Sequence, residues 1–287
     1  PFSNKETLSF AQEVFKEFSL VTNREGVSID LLERGGFDVT KTKSVACPAF
    51  LFEPAKGPKV EEIIKKEKLL SKDKPVVGFI LCGWNFEVGP FDKENRDDSE
   101  FIIFAESVEY LTEELGARVC LMSHSNGFDI PPAPFKLKHG RDYLIIKQLE
   151  RILHERGISN DFYTINDVYD TWQTKTIIKN FDMLVSGRIH GAVAALSQSV
   201  PTVIIDYGHE PKAHKLIGFA KVVGVQDFVA DPCVFSDLKL KIDRCYNKRS
   251  EYKEYLENKI PEVQALARKN FELLKDIVNE KLAFYVN

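Results

Sequence analysis

Met183-Leu184-Val185-Ser186-Gly187-Arg188-Ile189-His190-Gly191-Ala192 reads as an apolar strand, a two-residue turn and the opening of a helix. The strand over 183–185 has no polar face, as expected of one covered on both sides. Ser186-Gly187 makes the turn, and the helix over 189–198 is built on small residues, Ala192, Ala194 and Ala195. A second apolar strand over 202–205 follows at once. Strand, helix and strand in so short a space predict a parallel pair joined by a right-handed crossover.

Upstream the same alternation repeats. The pattern predicts strands over 76–82, 118–122 and 162–165, and helices over 99–115, 141–156 and 168–179. Gly116 and Gly157 stop the first two of those helices. Farther upstream the series is shorter, with a helix over 5–18, a strand over 20–23, a helix over 27–34 and a strand over 44–47 broken by Pro48. That is too little for a sheet of its own. The segment 53–74, rich in Pro, Lys and Glu, reads as linker. Beyond Phe235 the chain is charged and helical, and Pro261 is expected to kink or divide that stretch. The expected division is 1–72 as a short α/β series plus linker, 73–246 as a parallel-sheet domain, and 247–287 as C-terminal helices.

Bulk properties exclude several classes. The chain has 287 residues, is 44% hydrophobic and 29% charged, and carries a net charge of −4. No apolar run approaches the roughly 18 residues of a membrane span. An acidic balance argues against a nucleic-acid partner, which calls for a basic face. The five cysteines (Cys47, Cys82, Cys120, Cys233, Cys245) show no CxxC spacing, and three lie in apolar runs. They read as free thiols of a reducing compartment rather than as a disulfide framework or a zinc site. A cytoplasmic protein is expected. No HExxH or other metal-ligand spacing stands out, so no metal is expected.

In open parallel sheets ligands bind beyond the carboxyl ends of the strands. The loops at 82–90, 123–135, 165–170, 186–190 and 206–212 are therefore the places to look for chemistry. A helix start offers unpaired N–H groups and a partial positive charge to an anion. Arg188 adds a planar fork of donors, and His190 in the same turn can donate a hydrogen bond or a proton near neutral pH. An isolated Arg-x-His is usually a surface ion pair and a helix-start residue. At the mouth of a buried strand, between Gly187 and Gly191, it reads as an anion site with Ser186 and Gly187 shaping the turn. The next loop adds Tyr207, His209 and Lys212 as binding candidates. His124 and Asn126 lie after the strand over 118–122 and are candidates for an acceptor, although Ser-His-Ser-Asn-Gly is also good turn chemistry. Trp84 offers a face for a sugar ring or a piece of core.

The run from Val185 to Val223, with Ser-Gly-Arg-Ile-His-Gly, a small-residue helix, Ser-Val-Pro-Thr-Val-Ile-Ile, Asp-Tyr and a later Pro-Lys, resembles the polysaccharide pyruvyl transferase family. Val21-Thr22-Asn23-Arg24-Glu25-Gly26-Val27-Ser28 resembles that family's Arg-Glu-x-x-Ser segment. Cys47-Pro48-Ala49-Phe50-Leu51 is similar to its Pro-Asp-Pro-Ala-Phe element without the Asp. Gly187 stands where the family often has a bulkier residue, and Tyr207 and Lys212 are spaced about two residues wider.

The resemblance implies a GT-B-like α/β fold, with two Rossmann-like parallel-sheet domains facing a cleft. The N-terminal one would be incomplete in these residues, with 1–72 its C-terminal part plus linker and its opening strand and glycine-rich segment lying outside them, and the helices over 247–287 would pack back toward it. It also implies phosphoenolpyruvate as donor substrate, no cofactor, and a sugar of a cell-surface polysaccharide or its precursor as acceptor, joined as a ketal. Arg188 and His190 would be the catalytic pair and Arg24 a second anion ligand. A lipid-linked acceptor would place the protein at the inner membrane face. Two other readings stay open on the same fold. One is a nucleotide-sugar glycosyltransferase, for which no base and ribose pocket is evident. The other is a non-catalytic carbohydrate-binding homologue.

Overall fold

A computed structural model describes residues 4–71, 73–87, 93, 95–129, 132–158, 161–207 and 214–286. The chain divides into two compact units: Pro1–Phe52 with Pro211–Gln226 and Lys259–Asn287, and Glu53–Glu210 with Asp227–Asn258.

Helix α1 (Lys5–Lys16), strand β1 (Val21–Asn23), helix α2 (Val27–Arg34) and strand β2 (Thr42–Ser44) open the first unit. β1 and β2 pair in parallel, with Val21 opposite Thr42. The second strand therefore ends where sequence reading has it begin: the apolar 45–47 run is buried but lies past the ladder. Phe15 on α1 meets Phe37 edge to face at 5.2 Å. Buried Glu25 caps α2 by accepting from the Ser28 N–H at 2.9 Å.

The second unit begins with α3 (Pro58–Lys66), which starts on a proline whose missing N–H costs nothing at that position. Strand β3 (Val76–Ile80), α4 (Ile102–Glu109) and β4 (Arg118–Leu121) follow. The helix expected over 99–115 is α4 flanked by a 3-10 turn at Asp98–Phe101 and a π turn at Tyr110–Glu114. Next comes an antiparallel hairpin absent from the sequence reading, β5 (Asn126–Phe128) and β6 (Leu137–His139). Its three-residue strands are too short to show a period of two. Then come α5 (Asp142–Glu155), β7 (Phe162–Thr164), α6 (Thr171–Lys179), β8 (Met183–Ser186), α7 (Ile189–Leu196) and β9 (Thr202–Ile205). α6 starts later than expected because Asp170 and Gln173 form a reciprocal capping box.

Helix α8 (His214–Val223) belongs to the first unit, where Phe219 stacks on Phe50 with ring centroids 5.9 Å apart. A methyl group on Gly218 would lie 2.4 Å from Glu25 Oε2, so that glycine lets the helix close on the buried carboxylate. Strand β10 (Val229–Ala230) and α9 (Phe235–Asn247) complete the second unit's sheet and its cover. Helix α10 (Arg249–Val286) runs through Pro261 without being divided there, and the break falls at Lys248 instead. Within the first unit Asn270 donates to the Ala46 carbonyl at 3.0 Å and Gln264 to that of Phe50 at 3.3 Å.

The second unit's sheet has six parallel strands in the order β10-β9-β8-β3-β4-β7. From β3 the chain builds outward through β4 and β7, then returns to β3's other side with β8. The order reverses between β3 and β8, and a crevice must open where their following loops diverge. β3, β8 and β9 are fully buried, which explains their unbroken apolar reading. Gly78 in the middle of β3 is needed for contact, because a methyl there would sit 2.3 Å from the Phe181 ring.

Candidate functional site

The Arg188 turn lies at this reversal. Ile80 of β3 pairs with Ser186 of β8, and the Gly187 N–H bonds the Ile80 carbonyl at 2.8 Å. The buried Ser186 hydroxyl folds the turn by accepting from the Arg188 N–H (3.2 Å) and donating to the Arg188 carbonyl (2.9 Å). Arg188 becomes the N-cap residue of α7 in extended conformation (φ −110, ψ 125). His190 stands exposed in the first turn. A methyl on Gly191 would lie 2.7 Å from Ser186 Oγ and 3.5 Å from His124 Cδ2, so the His124 ring lies against that same turn.

Arg188 is held by a residue that sequence reasoning missed. Its Nε and Nη2 donate to the two carboxylate oxygens of Asp142 at 2.9 and 2.5 Å. Asp142 is the first residue of α5, its side chain is fully buried, and it also accepts the Ser125 N–H at 3.1 Å. The Arg188 side chain stays 27% exposed. A guanidinium has five N–H groups, and this fork-to-fork pairing commits one edge of it. The rest of the planar group, partly exposed, is held in a fixed orientation.

Burial opposes the charge on Arg188, but the Asp142 hydrogen bonds outweigh it and hold its pKa above the ordinary value. Burial likewise pushes the Asp142 carboxyl upward, and Arg188 pulls it back. The N-terminus of α5 adds favourable potential for the anion.

Asn85 is the second missed residue. It is buried, and its Oδ1 accepts the Cys82 N–H at 2.8 Å. Its Nδ2 donates toward the carbonyls of Asp206 (3.1 Å), Ile205 (3.3 Å) and Gly187 (3.4 Å). One amide thereby fastens the carboxyl ends of β3, β8 and β9 together. This is why position 187 must be glycine: a methyl there would come within 1.9 Å of Asn85 Oδ1. Cys82 donates its thiol to the Gly187 carbonyl at 3.2 Å, and burial pushes its pKa up to about 12, so it is a structural thiol and not a nucleophile.

His124 differs from His190 in burial, being half-buried where His190 is exposed. Burial, and then the charges of His190 and Arg188, push its pKa down to about 4, so it is neutral at pH 7. Tyr207 lies close enough to influence Arg188, and its ring is 6.1 Å from that of Trp84. Trp84 is half-buried at the rim of the site rather than in the core.

Of the residues expected from sequence, the structure gathers Ser186, Gly187, Arg188, His190, His124 and Tyr207 around one turn. Asn126 stands farther along, donating to the Tyr169 carbonyl at 2.9 Å. Arg24 belongs to the first unit, half-buried at the carboxyl end of β1. His209 and Lys212 lie outside the described residues. Among the described residues no group of three or more His, Cys, Asp or Glu is placed to hold a metal, and no helix is long and apolar enough to cross a membrane.

Both missed residues left a signal. Asp142 is an acidic residue in the first turn of a helix that follows a glycine, and Asn85 is an amide in an otherwise apolar stretch at a strand's carboxyl end. Neither signal names a partner 46 or 102 residues away.

A family model for polysaccharide pyruvyl transferase matches residues 1–209. The chain is similar to the amylovoran biosynthesis protein AmsJ of Erwinia amylovora, 21% identical over 236 residues. That match takes in 80% of this chain and 51% of AmsJ, so the chain spans about half the relative's length. Among solved structures, a glycosyltransferase from Rickettsia africae matches with a TM-score of 0.57 at 14% identity, over 97% of this chain and 69% of that one. Anabaena Alr3699/HepE, in complex with UDP and glucose, matches with a TM-score of 0.55 at 15% identity, over 99% and 67%. These likenesses show a GT-B-like α/β fold.

Proposed function

Given that the chain belongs to the polysaccharide pyruvyl transferase family, we propose that it moves the pyruvyl group of phosphoenolpyruvate onto two hydroxyls of one sugar as a ketal. The observation that carries this reading is the guanidinium of Arg188, fixed edge-on by a buried carboxylate at the start of α7 with two histidines beside it. A small molecule with both phosphate and carboxylate is the kind of ligand such an anion cradle suits.

The chemistry follows from the donor. A proton delivered to the methylene carbon of the enol phosphate leaves an oxocarbenium-like centre at the adjoining carbon. The first sugar hydroxyl adds there and releases its proton. Phosphate then leaves with the electron pair of its C–O bond, and the second hydroxyl adds and releases its own proton. Arg188 and the α7 N-terminus would hold the charge that collects on phosphate. His124, with its pKa pushed down to about 4 by burial, is poorly suited to supply the first proton, and His190, exposed in the first turn of α7, is the group we assign to that step.

The test is phosphate release from phosphoenolpyruvate with a panel of lipid-linked and nucleotide sugars as acceptors. His190→Ala should lower release by roughly a hundredfold or more, the typical value of one well-aimed catalytic group, with an unchanged melting temperature. Undiminished release from that variant removes the assignment. Arg188→Ala is a poorer probe, because it strands the buried Asp142 carboxylate.

A second reading, a nucleotide-sugar glycosyltransferase, draws on the likeness to HepE, whose structure holds UDP and glucose. That likeness, at 15% identity, extends to the fold alone. A melting shift with UDP-glucose and none with phosphoenolpyruvate would favour it.

A further inference from the structure

The transfer proposed above asks for proton movements in opposite directions: one proton onto the methylene carbon, and one off each attacking hydroxyl. His190 is assigned the first. The hydroxyl needs a second group, unprotonated in the resting site and set beside the same cradle.

His124 lies three residues beyond the carboxyl end of β4. The loop that carries it is pinned at the next residue. The Ser125 N–H donates at 3.1 Å to Asp142, the carboxylate that also grips Arg188. The Ser125 carbonyl is packed so closely on Gly140 that a methyl there would come within 1.9 Å of its oxygen. From this loop the His124 ring reaches the opening of α7, where a methyl on Gly191 would lie 3.5 Å from Cδ2. One buried carboxylate thus orients the guanidinium and anchors the loop that brings an imidazole beside it.

The ring has nothing structural to do there. A histidine that serves a fold is normally bonded through at least one of its nitrogens. Among the described residues neither nitrogen of His124 has a hydrogen-bond partner, and neither is a sealed-off atom. The residue itself is half-buried. Two charged or titratable groups face it from α7, Arg188 and His190, and both oppose a proton on the ring. On the α5 side the oxygens of Asp142 are taken by Arg188 and Ser125. Burial first, and then the two α7 groups, push the pKa down to about 4, so at pH 7 the ring is a free base.

We infer that His124 is the base of the transfer, taking the proton of the first attacking hydroxyl and handing it to the departing phosphate. The hydroxyl oxygen bonds the oxocarbenium-like carbon with a lone pair and becomes a strong acid as it does so, so a weak base in the right place suffices. The imidazolium formed beside Arg188 gives the proton up readily. The phosphate oxygen takes it as the C–O bond breaks, and phosphate leaves as hydrogen phosphate. The second hydroxyl returns a proton to His190, which spent its own on the methylene carbon. Both rings end as they began. The inference rests on the reading of the protein as a phosphoenolpyruvate-dependent transferase, and adds where the acceptor hydroxyl sits and where its proton goes.

The experiment is steady-state phosphate release from phosphoenolpyruvate, with the same panel of lipid-linked and nucleotide sugars, by the native chain, His124→Gln and His124→Ala. Glutamine stays neutral and polar but takes no proton, so that variant should melt with the native chain at pH 7. In both variants kcat should fall about a hundredfold or more, with the KM and the melting shift for phosphoenolpyruvate unchanged. Imidazole added to His124→Ala should restore turnover about tenfold, as a diffusible base replacing the lost one. Native kcat in His124→Gln overturns the assignment. So does a loss in His124→Ala that imidazole leaves untouched, or one carried by the KM for phosphoenolpyruvate, which is what mere support of Arg188 would produce. Failure of the donor reading looks different: the native chain itself then releases no phosphate with any acceptor, and this assignment falls with it.

Discussion

Replacing Asp142 by Asn keeps the side chain's shape and removes its charge. In the native cluster the carboxylate accepts from Arg188 Nε at 2.9 Å, from Arg188 Nη2 at 2.5 Å and from the Ser125 N–H at 3.1 Å. An amide offers one oxygen, and its NH2 group must then face one of these donors. At least one donor loses its acceptor. Breaking a buried ion pair from one side typically costs about 3–5 kcal/mol. Arg188 is 27% exposed, so water answers part of the loss, and about 2–3 kcal/mol is the expected cost at this site. For a domain of this size each kcal/mol moves the melting temperature by roughly 2–4 °C, giving a fall of roughly 4–12 °C. Scanning calorimetry reads this directly. The freed guanidinium should also lose most of the stabilisation given by phosphoenolpyruvate. Asp142→Asn combined with Arg188→Met removes both charges and should recover much of the melting temperature without recovering the ligand response. An Asp142→Asn variant that melts with the native chain and responds equally to phosphoenolpyruvate would show that the carboxylate is not what holds Arg188.

His124 makes stability fall in mild acid. Its pKa is about 4 folded against 6.5 in an ordinary environment, so between those values the unfolded chain binds more protons and stability drops as pH falls. The loss is complete near pH 4 and amounts to at most about 3 kcal/mol, since the ring is only half-buried. His124→Gln should flatten that part of a urea-denaturation pH profile, and an unaltered profile refutes the assignment. Asn85→Ala removes the amide that joins three strand ends and leaves the Cys82 N–H unanswered in the interior, for a cost of about 2–3 kcal/mol in urea melts. Gly187→Ala should act through the same amide, by displacing Asn85, so the two substitutions combined should destabilise by clearly less than their sum.

The sequence by itself determined the sheet and the place where chemistry gathers. Strands buried on both faces must be apolar throughout, so β3, β4, β8 and β9 are legible from composition, and helix-stopping glycines mark the crossovers between them. The anion cradle was legible for the same reason: a strand end, a Ser-Gly turn and Arg-x-His are contiguous, and local chemistry suffices to read them. What fixes the cradle was not legible. Asp142 reaches Arg188 across 46 residues and Asn85 reaches Asp206 across 121, and both contacts exist only once the strand order brings those loops together. The hairpin was hidden differently, because its short strands are recognised only by pairing with each other. Even the two histidines, alike in sequence, were separated by tertiary structure alone, which sets His124 against the Gly191 turn and leaves His190 exposed.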